Sequence, residues 1–283
     1  MISVENGFIR VTLNENGGCI KEIYDKRLQR AVTFPGNAEY WDYSDQILFP
    51  FCGRCAGGEY FFRGKTYVAD IHGFAKDAVF EVRSLSPESA VLAFSSDAAT
   101  LTVYPFEFDF SAEYRLCADS LSVAYSVKNK GGGDMYFSVG AHPAFKTFPE
   151  SVLVFPEAAE HEVYLLDGNY LSGEKQRVAF RSQPLDKNFF RKYGTFIAER
   201  RFKNYTIENP GYSLEIVSGS PVLAFWSDDC RDEFICAESW WGVCDYAVRP
   251  VKELENKPYI NMLAPGKTAK FDYTLSINVK KEI

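Results

Sequence analysis

Histidine and one late carboxylate are the residues best suited to chemistry in this chain. Only three histidines occur among 283 residues. His72 sits in Asp70-Ile-His-Gly-Phe-Ala-Lys-Asp77 and His142 in Val139-Gly-Ala-His-Pro-Ala-Phe145. Small residues and proline surround both, so the backbone there can come close to a ligand. His161, between Glu160 and Glu162, reads as an exposed loop residue. An isolated imidazole is ordinarily a satisfied core or surface group, so a chemical role needs a partner. The segment Glu233-Phe-Ile-Cys-Ala-Glu-Ser-Trp-Trp-Gly242 offers one. A strand over Phe234 to Ala237 delivers Glu238 beside Trp240 and Trp241. A carboxylate flanked by aromatics is partly desolvated, which raises its basicity toward the range useful for proton abstraction. The competing reading is an edge-strand glutamate beside core tryptophans.

Other motifs fail on context. Cys52-Gly53-Arg54-Cys55 has the spacing of a redox dithiol or half a zinc site. No second close pair follows, since Cys230, Cys236 and Cys244 are too widely spaced, and the β-rich setting lacks a helix start. The thiols read as incidental and reduced. The triplets Gly64-Lys65-Thr66 and Gly266-Lys267-Thr268 lack the earlier glycine of a phosphate loop, having Glu59 and Asn261 in its place. No histidine pair has local metal-ligand spacing, so a zinc site is not expected. Asp228, Asp229, Asp232 and Glu233 read as a solvated acidic loop.

The elements that must position these residues are strands. In Phe271-Asp-Tyr-Thr-Leu-Ser-Ile-Asn-Val279 the odd positions are apolar and the even ones polar. Leu121, Val123, Tyr125 and Val127 alternate likewise, as do Ile9, Val11 and Leu13. Such alternation marks half-buried antiparallel strands. Turn signals such as Asn16-Gly17-Gly18, Gly131-Gly132-Gly133, Asp167-Gly168-Asn169 and Asn209-Pro210-Gly211 separate them. Only the stretches around Leu185 to Tyr193 and Val251 to Glu255 read as helix. With no linker or repeat, an all-β fold in one domain over residues 1–283 is expected.

Composition narrows the function. The net charge of −7 disfavours a nucleic-acid partner. Aromatic residues make up 16% of the chain, which suits strands and also pockets for sugars. No apolar run long enough to span a bilayer and no signal-like start is seen in MISVENGFIRVTLN, so no membrane partner and a cytoplasmic location are expected.

Six segments then occur in order: Leu48-Phe-Pro-Phe-Cys-Gly-Arg54, His72-Gly-Phe-Ala-Lys-Asp77, Tyr104-Pro-Phe-Glu-Phe108, Gly140-Ala-His-Pro-Ala-Phe145, Phe225-Trp-Ser227 and Ile235-Cys-Ala-Glu-Ser-Trp240. Together they resemble the aldose 1-epimerase (galactose mutarotase) family, and its LacX-like branch in particular, over essentially the whole chain. The resemblance implies a large antiparallel β supersandwich, needing no cofactor. Its substrate would be a small sugar, an aldohexose such as galactose or glucose, and the protein a monomer or homodimer. It implies His142 as general acid and Glu238 as general base, with Arg54 and His72 holding sugar oxygens; Trp240 or Trp241 could stack on a sugar C–H face or equally pack in the core. Three positions depart from the branch: Ser239 replaces a proline, Lys76 an arginine, and Tyr193 an aspartate that follows a short helix. The alternatives are a non-catalytic carbohydrate-binding or regulatory module and a hexose-6-phosphate 1-epimerase.

Overall fold

The alternating segments pair into antiparallel strands, and the pairing places the candidate residues. A computed structural model describes residues 1–228, 233–248 and 250–280. Along Ser120–Asn129, Leu121, Val123, Tyr125 and Val127 are buried while the residues between them are only partly covered. That strand lies between Phe108–Cys117 and Thr268–Val279, where Phe271, Tyr273, Leu275 and Ile277 turn inward. Val279 continues the sequence pattern but emerges into solvent, because the strand end outruns the core.

These strands belong to a 15-stranded sheet. Its path starts at Ile47–Leu48 and passes through Val139–Ala141, Phe234–Trp241, Val222–Trp226, Thr195–Glu199 and Val152–Asp167. It continues through Asn204–Asn209, Tyr212–Ser218, Thr268–Val279, Ser120–Asn129, Phe108–Cys117 and Ser89–Ser95 to Glu81–Ser86. A 4-stranded N-terminal sheet, Ile2–Glu5 to Arg30–Ala31, shares its core. Val11 and Ile23 from that sheet pack in one cluster with Phe110, Tyr125 and Leu275. Large aromatic side chains such as Phe49, Phe108, Phe110 and Phe137 fill this interior, ring against ring.

Helix is scarce, as the sequence suggests. Lys187–Tyr193 is helical, capped by Asp186, whose side chain accepts the Phe189 N–H at 3.0 Å. Leu254–Asn256 is a single 3₁₀ turn that overlaps the end of the second expected stretch, and Thr100–Val103 adds a turn the periodicity does not announce. None of the described helices is long and apolar enough to cross a membrane.

His161 corrects the sequence reading. It is buried on the strand Val152–Asp167, with its ring 4.4 Å from that of Phe155 and 4.8 Å from that of Phe180. Glu160 and Glu162 flank it because alternation turns them the other way. Cys230, Asp229 and Asp232 lie outside the described residues.

Candidate active site

Strand register brings His142 and Glu238 together. Val139–Ala141 pairs with Phe234–Trp241 as Gly140 opposite Trp240 and Ala141 opposite Ser239. Ala144–Lys146 pairs with the same strand as Ala144 opposite Cys236. Both ladders share one register, which sets His142 opposite Glu238 across the break at Pro143. Cross-strand neighbours of this kind project from the same face. Glu238 therefore sits in the middle of a sheet and not on an edge, with Val222–Trp226 on its other side.

The result is a close acid–base pair. His142 Nε2 is 3.3 Å from Glu238 Oε1. Trp240, two residues along and on the same face, donates its Nε1–H to Glu238 Oε2 at 2.8 Å. Glu238 is 1% exposed and His142 6% exposed. Burial pushes the Glu238 carboxyl up to about 8, only partly opposed by the Trp240 hydrogen bond. Burial likewise pushes His142 down to about 4. Desolvation thus favours a neutral carboxylic acid beside a neutral imidazole.

His72 reaches the pair from a strained turn. Its φ is +62°, followed by Gly73 at +72°. A side chain at Gly73 would put Cβ 2.2 Å from the Phe49 carbonyl oxygen, so the turn requires glycine. The His72 ring centroid lies 5.3 Å from that of His142 and 6.1 Å from that of Trp240. Gly53 N–H donates to His72 Nδ1 at 3.0 Å, and His72 N–H donates back to the Gly53 carbonyl at 2.8 Å. Burial lowers the His72 pKa well below its ordinary value, so the ring is neutral. With Nδ1 accepting, the proton must sit on Nε2, which leaves that N–H as a fixed donor.

Arg54 follows Gly53 on the same loop, which Asp245 grips from both sides. Asp245 donates its N–H to the Arg54 carbonyl at 3.0 Å and accepts the Ala56 N–H on Oδ2 at 2.8 Å. Lys257 Nζ binds both Asp245 oxygens at 2.6 Å, and both side chains are almost wholly buried. Among the described residues Arg54 forms no ion pair, leaving its guanidinium available to a ligand.

A cavity of about 470 Å³ joins these groups, a size that suits a small-molecule ligand. Arg54, His72, His142, Glu238 and Trp240 all line it. Trp241 does not; its ring packs on Phe271 in the core, 5.5 Å away. Sequence reasoning missed Trp41, Tyr43, Gln46, Asn169 and Thr195, and gave Trp226 no role although it stood in a quoted segment. Trp41 and Trp226 stand 5.5 and 6.3 Å from the His142 ring, adding apolar faces beside it. Tyr193 is outside the cavity wall, packed on Phe189 and Phe196 at 5.2 and 5.3 Å. Asp186 and Glu199, the nearest carboxylates in sequence, cap a helix and pair with Lys175.

No group of three or more His, Cys, Asp or Glu side chains suited to a metal occurs among the described residues. Cys52 and Cys55 are buried; burial pushes the Cys55 thiol up to about 12 and that of Cys52 well above its ordinary value. Neither is a reactive thiolate. The arrangement instead offers a proton-exchanging pair, an N–H donor, a guanidinium and aromatic faces around one chamber.

A family model described as Aldose 1-epimerase matches residues 1–276. Protein LacX (chromosomal) of Lactococcus lactis subsp. lactis is 24% identical, with 98% of this chain and 99% of that protein covered. A solved galactose mutarotase related enzyme from Lactobacillus acidophilus superposes with a TM-score of 0.93 at 27% identity, covering 99% of both chains. A galactose mutarotase-like protein from Lactobacillus casei ATCC 334 shares the fold, with a TM-score of 0.92 at 24% identity over 98% of this chain and 100% of that one.

Proposed function

This chain belongs to the aldose 1-epimerase family and has the large antiparallel β fold of galactose mutarotase-like proteins, and from that membership we propose that it interconverts the α and β anomers of a free aldose. The carrying observation is the 3.3 Å approach of His142 Nε2 to Glu238 Oε1 in the cavity wall. The anomeric hydroxyl oxygen O1 and the ring oxygen O5 share carbon C1. Two proton-exchanging atoms this close together can therefore face both oxygens at once.

The steps balance without a cofactor. Passing the pair's shared proton from Glu238 to His142 gives carboxylate and imidazolium, with no change in total charge. Glu238 then takes the O1 proton while His142 Nε2–H protonates O5. The C1–O5 bond breaks, C1=O1 forms, and the open aldehyde turns about C1–C2. Ring closure on the other face reverses both transfers. A positioned acid or base of this kind contributes roughly 10²–10⁴-fold. The His72 Nε2–H and the Arg54 guanidinium suit sugar oxygens, and Trp240, Trp41 or Trp226 can cover a C–H face.

The test is an anomerisation assay by polarimetry over a panel of aldoses, with His142→Ala and Glu238→Gln beside the wild type. Rapid equilibration by the wild type, lost in both variants, is expected. Saturable sugar binding without acceleration in the wild type would leave a binding module and overturn the enzyme reading. Wild-type rates in both variants would remove the assigned pair.

A further inference from the structure

Two carboxylates line the cavity, and the acid–base chemistry uses only Glu238. The other, Asp70, stands at the exposed end, its side chain 67% accessible. Its orientation is nonetheless fixed from behind. Oδ1 accepts the Ile71 N–H at 2.7 Å, and Oδ2 accepts from Lys76 Nζ at 3.0 Å. Lys76 is itself held against Asp77 at 2.5 Å, and its side chain is 7% exposed. A carboxylate has about four lone-pair sites, so each Asp70 oxygen keeps acceptor capacity after these contacts. Burial pushes the Asp70 carboxyl up, but Lys76 and the Ile71 N–H outweigh that and hold it below the usual carboxylate range.

The charge balance of this end is as telling as its geometry. Arg54 and Lys76 are the cations of the cavity lining. Lys76 is matched by two carboxylates, so it offers no unspent positive charge to a phosphate. An anionic substituent entering here would meet Asp70 beside Arg54, so the carboxylate offsets the attraction that the guanidinium would exert. A neutral sugar would meet a pre-oriented acceptor for its hydroxyl protons, beside Arg54 as donor. Hydrogen bonds to an ionised acceptor are stronger than those between neutral groups. Tyr193, where the resemblance implies an aspartate, contributes nothing to the wall.

We propose that Asp70 is the specificity-determining carboxylate of this cavity, accepting hydroxyls of an uncharged sugar and turning away a phosphorylated one. This rests on the aldose reading above. It also gives Lys76 a role, as the group that holds Asp70 ionised and aimed.

The experiment compares wild type, Asp70→Asn and Asp77→Asn. Asp77→Asn also releases Lys76 from one partner, but Asp77 does not itself line the cavity, so it controls for that release. Dissociation constants are read from tryptophan fluorescence, and KM and kcat from polarimetry, for a free hexose and its 6-phosphate. For Asp70→Asn, Kd and KM for the free hexose should rise about tenfold, the lower end of the range for a charged hydrogen bond because the group is exposed. Its kcat should change far less, and its preference over the 6-phosphate should shrink. Asp77→Asn should keep the wild-type Kd for both. Wild-type Kd and KM in Asp70→Asn, or equal losses in Asp77→Asn, would overturn the proposal. If the wild type binds sugar without turnover and Asp70→Asn loses that binding, the role of Asp70 stands while the epimerase reading fails. If the wild type turns over and Asp70→Asn is unaffected, the reverse holds.

Discussion

Glu238 Oε1 faces His142 Nε2 at 3.3 Å while the other carboxylate oxygen is held by Trp240 Nε1–H at 2.8 Å. The indole fixes the carboxyl plane, and the shared register of two short ladders fixes the imidazole opposite it. In this dry setting the two groups titrate as a pair. A carboxylic acid beside a neutral imidazole holds the same number of protons as a carboxylate beside an imidazolium. The resting form favoured by burial and the form that the proposed reaction needs are therefore proton tautomers, and no proton need be exchanged with solvent between them.

The pH dependence of activity follows from that equivalence. With Glu238 raised to about 8 and His142 lowered to about 4, the one-proton pair persists between these limits. Below the lower limit it gains a second proton and loses its base; above the upper one it loses its last proton and with it the acid. The profile of kcat/KM should be a plateau with two falling limbs. A single limb centred near pH 6.5, the value of an unperturbed histidine, would mean that His142 titrates alone.

Stability should respond to Glu238 in the opposite sense to activity. Its carboxyl pKa is raised in the folded state. Stability is then fully present below the ordinary carboxylate pKa and lost as pH rises toward 8, because the unfolded chain releases a proton that the folded one keeps. In Glu238→Gln this loss is absent, and the amide can still accept from Trp240 and donate to His142. The variant should lose turnover yet melt above the wild type at pH 8, by on the order of 5–10 °C, with the gap closing toward pH 4.5. Calorimetry at both pH values checks this, and a variant less stable at pH 8 would contradict it.

The Gly53 position couples loop geometry to binding. Its φ is +72°, and an added Cβ would lie 2.4 Å from Cys244 Cβ. Gly53→Ala must therefore shift the loop, weakening the N–H bond to His72 Nδ1 and moving Arg54. A fall in Tm of about 5 °C or more, with KM rising more than kcat falls, is expected. Gly64→Ala supplies the comparison: φ is +75° there but nothing lies within 4 Å of the added atom. It should cost only about 1 kcal/mol of backbone strain and leave KM alone.

Particular residues show how far the sequence could be read. Alternation along Ser120–Asn129 and Thr268–Val279 announces strands because one face of each is buried and the other is not. Glu238 and His142 stand in short, compositionally distinctive segments. That they oppose each other depends on pairing between strands nearly a hundred residues apart, which local pattern does not encode. His161 was obscured by the irregular register between Val154 and Ala159, which breaks the period just before it. Trp41, Tyr43 and Gln46 come from a stretch with almost no regular structure, where no period aims a side chain. Asn169 was visible only as part of a turn.

Tyr193 stands where the resemblance to the family branch implies an aspartate, and its surroundings argue that a carboxylate placed there would not reach the cavity. The ring packs edge-on against Phe189 and Phe196 beneath the cavity wall. Along Thr195–Glu199, Thr195 and Ile197 line the cavity while Phe196 turns to the core. The wall at this place is thus carried by a hydroxyl and a branched apolar side chain. Tyr193→Asp should remove the ring contacts and set a charge beside two phenylalanines, costing about 1–3 kcal/mol. KM for a free aldose should stay at the wild-type value. A lowered KM, measured by polarimetry on the folded variant, would show that a carboxylate at 193 reaches the sugar after all and that the loop before Thr195 moves on binding.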